Sequence, residues 1–513
     1  MYSAFTLLFP LILLVSYGMV DSTHIHETFL HCLSQHFSNS TSRFKLIYTP
    51  DDTSYFDILN STIQNPRFSS PLIPKPCIII TPFHASQVQA AVNCSKKHGI
   101  EIRIQSGGHD SEGLSYVSDV PFVILDLRNL RSIEIDVDQK IAWVEVGATL
   151  GEVYYSIAKK SENLGFPAGV YPTVCVGEHF SGGGYGHLMR KYGLAADNII
   201  DAKLVNVEGR ILDRQSMGED LFWAICGGVA ASFGVVLSWK IRLVYIPSKV
   251  TVFSLVRILE LNETKKLVHK WQYISHKFNE DLLIFVRLQT MYSTKEGNRK
   301  IVLQASSISM FLGGVDWLLP LMQKSFPELG LIREDCIEMR WIESLIYANG
   351  FTSGEPLEVL HDRTPQSRIL SYKEKSDYVK KPIPERALEG MWEMLYEEDV
   401  GMALFQLFPY GGKMDEISES KTPFPHRSGC LIQNSAISHI LLATPPSSHK
   451  TRSWTPSRPR WPVVATSSAP RPIFLGHLPS LLPWRSVILG TMSECLPKHP
   501  AVSHPCPSAR PST

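Results

Sequence analysis

The chain has 513 residues, with 50 Lys and Arg against 49 Asp and Glu, a formal net charge of +1. That length exceeds what one hydrophobic core sustains, so two or three domains are expected. Balanced charge gives no basis for a nucleic-acid partner, and the nine cysteines include no C-x-x-C pair, which argues against a zinc site.

Phe5 to Val15 is an apolar run followed by Ser16, Tyr17, Gly18 and a polar stretch. It is too short to cross a bilayer but fits the core of a secretory signal peptide, so residues 1–22 are expected to be removed and the product secreted. No later stretch reads as a transmembrane helix. Asn39, Asn60, Asn93 and Asn262 each open an Asn-x-Ser/Thr sequon, as a secreted glycoprotein would carry. In an oxidising compartment some cysteines pair. The expected bridge is Cys32–Cys94, which would pin the N-terminal segment (23–70) to the first domain.

Residues 71–246 alternate strands and helices. Cys77 to Ile80 is a short apolar strand, and Ala85 to His98 an amphipathic helix with Val88, Ala91 and Val92 on one face. Glu101 to Gln105 is a strand that delivers Ser106-Gly107-Gly108-His109-Asp110. A Gly-Gly turn lets backbone amides approach an anion such as a pyrophosphate. Taken alone, this stretch reads more simply as a strand-ending turn with a surface histidine. Further strands are expected at Phe122–Leu125, Ser132–Ile135 and Ile141–Val146, and a helix at Leu150–Lys160. No G-x-G-x-x-G opens a helix after the first strand, so this is α+β and not a Rossmann unit.

A second glycine cluster puts five glycines within residues 177–186. Interleaved Val, His, Phe and Tyr distinguish it from a flexible linker and imply backbone held close to a ligand. Asn198 to Asp213 reads as a hairpin turning at Glu208-Gly209, Gly218 to Ile225 as helix, and Phe233 to Val244 as a long strand.

Residues 247–429 form a second domain, with strands at Phe253–Leu259, Leu282–Leu288, Ile301–Gln304 and Met402–Phe408. Helices at Thr264–Phe278, Asp316–Phe326 and Pro384–Tyr396 would cover an antiparallel sheet. Trp341 and Trp392 are assigned to core. From Cys430 to Thr513 the character changes: one acid, Glu494, against eight Lys or Arg, with 14 of the 34 prolines. No strand or helix period survives there, so the tail 430–513 is expected to be disordered.

With both glycine clusters in hand, the chain resembles the berberine bridge enzyme-like family of plant flavin oxidases, within the group that shares the vanillyl-alcohol-oxidase type FAD-binding domain. The resemblance is carried by Arg103 to Tyr116 (RIQSGGHDSEGLSY), Gly177 to Gly193 (GEHFSGGGYGHLMRKYG), Leu194 to Asp201 and Ser216 to Gly228. Ala231 to Ile241, Pro409 to Gly412 and Thr422 to Gly429 (TPFPHRSG) add to it. It implies an α+β fold: a two-part FAD-binding domain and an α/β substrate domain with an antiparallel sheet.

The FAD pyrophosphate would lie on the Ser106–Gly108 amides, with the second cluster around the flavin end. The FAD-binding set implied is Arg103, Ser106, Gly107, Gly108, His109, Asp110, Val174, Gly177, His179, Ser181, Gly182, Gly183, Gly184, Gly186 and Val235. His109 matches the histidine bonded to the flavin 8α-methyl carbon, which needs a neutral imidazole and raises the flavin's electron affinity. Tyr185 matches a residue beside the substrate. The implied reaction takes hydride from an alcohol, carbohydrate or alkaloid-type substrate to flavin N5, with reoxidation by O2; nothing indicates an oligomer.

The chain departs from the family pattern at several positions. Tyr171 stands where many members carry the cysteine bonded to flavin C6, so His109 is expected to hold FAD alone. Cys175, Glu178 and Val229 stand where glycine is usual, Cys226 where arginine is, and Ser111 where a tyrosine often follows the His-Asp pair. Val174 fits the small residue associated with oxygen access. The Lys-x-Gln-type segment and later Tyr-x-Asn-Tyr motif are absent from 430–513, as a shifted reading frame or retained intron would cause. These departures motivate a second reading, a catalytically silent secreted glycoprotein that keeps a flavin-binding fold.

Overall fold

The computed structural model describes residues 27–37, 45–258, 262–293, 300–351, 354–364, 371–395, 402–427 and 431–438. Helix α1 (27–37) is tied to the first sheet's layer by the Cys32–Cys94 disulfide. That sheet holds β1 (Ile47–Tyr48), β2 (Ile78–Ile80), β3 (Glu101–Gln105) and β4 (Phe122–Asp126) in the order β1-β2-β4-β3. β4 runs parallel to β2 and β3. Parallel strands need cover on both faces, and every residue of β2 and β4 is buried. Tyr55 and Leu59 of α2 (Tyr55–Thr62) meet Ile79 and Ile124 on one face. Val88 and Ala91 of α3 (Ala85–His98) meet Ile78, Ile80 and Val123 on the other. α3 begins where Gln87 Oε1 accepts the Phe83 and His84 amides at 2.7 and 3.1 Å, and stops at Gly99 in the left-handed region.

Next come β5 (Ile133–Asp136), β6 (Ile141–Glu145), β7 (Leu164–Gly165), β8 (Ile199–Val205), β9 (Ile211–Leu212), β10 (Val235–Arg242) and β11 (Val244–Tyr245). They form an antiparallel sheet β5-β6-β10-β8-β9 and a short β7-β11 pair. Four helices thread between these strands: α4 (Leu150–Lys160), α5 (Val176–Ser181), α6 (Met189–Tyr192) and α7 (Arg214–Ile225). Thr149 and Glu152 close a reciprocal cap on α4. The helix expected from Gly218 starts earlier, because Asp213 caps the Ser216 amide; Gly218, at φ +77°, only interrupts it.

The largest sheet contains β12 (Val250–Ile258), β13 (Leu282–Ser293), β14 (Lys300–Phe311), β15 (Cys336–Met339), β16 (Lys373–Val379), β17 (Met402–Pro409) and β18 (Leu431–Ser438). Its order is β15-β12-β14-β13-β17-β18-β16, antiparallel throughout. Alternation along β13 sorts its faces. Ile284, Val286 and Leu288 pack under α8 (Asn262–Ile274), α9 (Val315–Ser325) and, past α10 (Trp341–Ala348), α11 (Glu385–Leu395), against Trp271, Leu318 and Trp392. Each such fully buried side chain contributes about 2–3 kcal/mol. Leu283 and Phe285 point the other way, toward Met189, Leu194 and Phe408. Trp341 and Trp392 are 5 % and 4 % exposed, both in core.

One expectation needs correcting. The chain is not without strand beyond Cys430: Leu431–Ser438 is β18, paired with β17 on one side and β16 on the other. Backbone pairing on two edges holds a segment whose side-chain pattern alone does not announce a strand. The rest of the tail, residues 439–513, lies outside the described residues, as do Asn39 and the signal segment.

Candidate active site

β3 ends at Gln105 and hands the chain to Ser106-Gly107-Gly108. Gly108 has φ +69°, and a Cβ there would fall 2.3 Å from the Thr62 carbonyl oxygen, so no other residue fits without movement. A Cβ on Gly107 would lie 2.7 Å from Glu178 Oε1 and 3.0 Å from the Cys175 nitrogen. A Cβ on Gly177 would lie 2.6 Å from Ser106 Oγ. The two glycine clusters, far apart in sequence, therefore pack on one another. The second also folds back on its own approach: a Cβ on Gly186 would meet the Ala168 carbonyl oxygen at 1.8 Å.

His109 emerges half-buried beside this junction, its Nε2 3.0 Å from Thr173 Oγ1. Burial pushes its imidazole down to about 4, so the ring is neutral at neutral pH. His179 is likewise pushed down to about 4 by burial and then by His109, and its Nε2 accepts the Gly169 amide at 2.8 Å. Its other ring nitrogen then carries the proton.

Glu178 is the anomaly. Its Oε1 is buried without a hydrogen-bond partner. Burial, and then the Asp110 carboxylate, push its carboxyl up to about 7, against a smaller opposing pull from the His109, Cys175 and Gly108 amides. Those amides face the carboxylate without reaching Oε1 in bonding geometry, so they act as oriented dipoles. Cys175 is buried, its thiol 3.5 Å from the Gly147 carbonyl oxygen and pushed well above its usual range by burial.

Other residues of the expected FAD-binding set have structural partners. Arg103 pairs with Glu101 at 2.7 Å. Asp110 accepts the Ser115 hydroxyl at 2.6 Å and the Leu114 and Ser115 amides, shaping its own loop. Ser181 donates to the Glu178 carbonyl oxygen at 3.0 Å. The Val174 carbonyl accepts the Leu150 amide at 2.8 Å. Val235 opens β10 inside the core, paired with Val205. Gly182 ends α5, while Gly183 lies against Phe424 and Gly184 against Ala195 and His179. Tyr171 is 59 % exposed.

The large sheet closes over this region. Ser111 Oγ donates to Glu374 Oε2 at 2.7 Å, Lys375 pairs with Glu112 at 3.1 Å, and Asn65 Nδ2 donates to the Tyr372 carbonyl at 2.8 Å. Arg427, fully buried, holds both Asp197 oxygens at 2.7 and 3.0 Å and donates to Thr422 at 2.8 Å. That pair fixes the TPFPHR segment against the second glycine cluster.

Tyr185 is half-buried with its ring 5.4 Å from Phe408, which stacks on Phe285 at 4.5 Å. Sequence reasoning missed the polar neighbours. His187 lies 5.8 Å from Phe285, pushed down to about 4 by burial and then Arg287. With the Gln406 amide oriented so that its oxygen faces the guanidinium, Arg287 Nε and Nη2 each donate to that oxygen at 3.0 Å. The usable signal was alternation: Leu283, Phe285 and Arg287 share one face of β13, so a cation interrupts an apolar stripe.

Residues 76–214 match the FAD binding domain family model. Berberine bridge enzyme-like 18 of Arabidopsis thaliana is 52 % identical over 403 residues, 79 % of this chain and 74 % of that protein. Tetrahydroberberine oxidase of Berberis wilsoniae is 48 % identical over 459 residues, 89 % of this chain and 85 % of the relative. The solved structure of BBE-like #28 from Arabidopsis thaliana superposes with a TM-score of 0.73 at 48 % identity, covering 80 % of each chain. The α+β fold, the FAD-binding domain and these relatives agree: the chain belongs to the berberine bridge enzyme-like family of FAD-linked oxidoreductases.

Proposed function

We propose that this chain oxidises an alcohol, carbohydrate or alkaloid-type small molecule, with FAD bonded through His109 alone and O2 as the terminal acceptor. Bound FAD supplies a two-electron acceptor for hydride from substrate carbon. The observation that carries the reading is the junction itself: the Ser106–Gly108 turn, the Gly177–Gly186 cluster and a neutral imidazole converge. Turn amides suit a diphosphate, and a neutral ring nitrogen suits a bond to carbon. The Glu178 carboxylate alone fits this cofactor poorly.

The chain's own residues set the geometry. For His109 to offer Nδ1 as the bonding nitrogen, Nε2 must keep its proton and donate to Thr173 Oγ1. Tyr171 places a phenol where a second, sulfur bond would need a thiol. Tyr185 stands between the second glycine cluster and the Phe285–Phe408 stack, which supports a place beside the substrate. We further read 71–246 as the FAD domain and 247–429, continued by β18, as the substrate domain. Secretion is supported by the exposed Asn60, Asn93 and Asn262 and the Cys32–Cys94 bond. Among the described residues no helix is long and apolar enough to cross a membrane.

The test is direct. The full chain, precipitated in acid and digested, should retain flavin on the peptide containing His109, and His109→Ala should release all of it. With substrate, peroxide should form as oxygen is consumed. A colourless precipitate overturns the tether; flavin that survives His109→Ala on another peptide overturns the single-bond assignment.

A further inference from the structure

A carboxyl side chain faces the turn read above as the cradle for the diphosphate of FAD. Glu178 reaches from α5 toward the Ser106–Gly108 turn, its Oε1 2.7 Å from the Cβ position of Gly107. The same oxygen is buried without a hydrogen bond. A glutamate side chain carries its carboxylate well beyond the backbone, so a residue at this position with no side chain would leave that space open. We propose that Glu178 is a tethered competitor for the diphosphate cradle, so that FAD enters only when this carboxylate is protonated. The proposal rests on the reading of the turn as that cradle.

The physical basis is like-charge exclusion. A diphosphate diester carries two negative charges that titrate far below neutral pH, so the ligand has no proton to exchange at the turn between about pH 6 and about pH 8. A carboxylate among the same few amide dipoles repels it and shares its donors. The amides of Gly108 and His109 come from the turn, and that of Cys175 from the start of α5. The titratable groups facing Glu178 are Asp110, His109 and Tyr116 from the loop after β3, and the Cys175 thiol beside α5. His109 is already neutral across that range, and the Tyr116 and Cys175 groups are pushed up by burial, so they stay protonated. Glu178 is pushed up to about 7, and is the group that changes charge where binding would be measured.

The cradle then couples loading to one proton. Below the carboxyl pKa FAD meets a neutral side chain. Above it each pH unit should weaken binding about tenfold, the slope for uptake of one linked proton on binding. Replacing the carboxylate by its neutral isostere should flatten that slope, and removing the side chain should also free its volume.

The experiment uses the full chain carrying His109→Ala, which keeps FAD exchangeable, and measures FAD affinity by quenching of flavin fluorescence from about pH 6 to about pH 8. Glu178→Gln and Glu178→Gly are compared in the same background, with circular dichroism confirming that each is folded. The expected result is roughly tenfold weaker binding per pH unit above neutrality with Glu178. Both variants should be pH-independent, with Glu178→Gly binding at least about tenfold tighter at the alkaline end. pH-independent binding in the Glu178 chain, or no gain in either variant, overturns the proposal while leaving the cradle in place. No FAD binding by any folded variant at any pH overturns the cradle reading as well.

Discussion

Replacing Val229 by glycine should make this chain more stable than replacing it by alanine, the reverse of what an ordinary position would show. Val229 has φ +65° and ψ +82°, a left-handed conformation held by a β-branched residue. Such a conformation costs a residue with a Cβ about 1–3 kcal/mol, and branching puts Val at the upper end. The strain is kept because neighbours fix the backbone: the Val229 amide donates to the Ser181 carbonyl at 2.9 Å, at the end of α5. Glycine removes the strain, loses about 0.5–1 kcal/mol to the entropy of the unfolded chain, and loses about 1 kcal/mol of half-buried isopropyl surface. The net gain is about 1 kcal/mol. Alanine keeps the Cβ, and with it most of the left-handed penalty, while losing the same surface, so it should fall about 1 kcal/mol below glycine. Urea titration followed by tryptophan fluorescence reads this as a midpoint difference of about 0.3 M at a slope of ~3 kcal/mol/M. An alanine variant as stable as the glycine variant, at equal slope, refutes the strain assignment.

Three further outcomes are expected. Arg427→Leu strands the buried Asp197 carboxylate and should cost about 3–5 kcal/mol, recovered in part by adding Asp197→Asn; a loss under about 1 kcal/mol would show that the pair is solvated. His109, His179 and His187 have pKa values depressed to about 4, so the stability they confer is present above the unfolded value near 6.5 and is lost as pH falls toward 4. Glu178, raised to about 7, acts oppositely over 4.5 to 7, leaving a net of about two protons and a slope of roughly 3 kcal/mol per pH unit, read from urea midpoints; a flat profile from pH 6.5 to 4.5 would refute the burial of these rings. Ending the chain at Gly429 removes β18 and leaves β16 and β17 with unpaired edges, so that form should aggregate while one ending at Ser438 does not; equal solubility would remove β18 from the sheet.

The elements that sequence read well are those with a strong local signal. α3 and α4 begin and end at the residues expected, because each carries a hydrophobic face and chain-end partners such as Thr149 with Glu152, or a terminating Gly99. Boundaries failed where partners, and not side chains, decide. β14 was expected to end at Gln304, yet it continues to Phe311 through Ser306, Ser307 and Ser309. Serines are weak strand formers, but β12 and β13 pair with that stretch on both sides and supply its backbone hydrogen bonds. β18 is the same case in a segment of unpromising composition.

At the site, sequence spelled out each glycine cluster but not what faced it. Whether a glycine is kept for a ligand, for a positive φ or for a close protein neighbour cannot be separated by reading one strand of text. At Gly108 the neighbour is Thr62, and at Gly186 it is Ala168, so both would be required even in a chain that bound nothing. Gly107 differs, because the nearest atom against it is the end of a flexible side chain, Glu178 Oε1 at 2.7 Å, with the Cys175 backbone nitrogen next at 3.0 Å. A backbone neighbour fixes a fold, whereas a side-chain neighbour with a titratable end can be displaced by a ligand. The turn before His109 therefore has one rigid wall and one movable one. The carboxylate on the movable wall decides when the cradle is open.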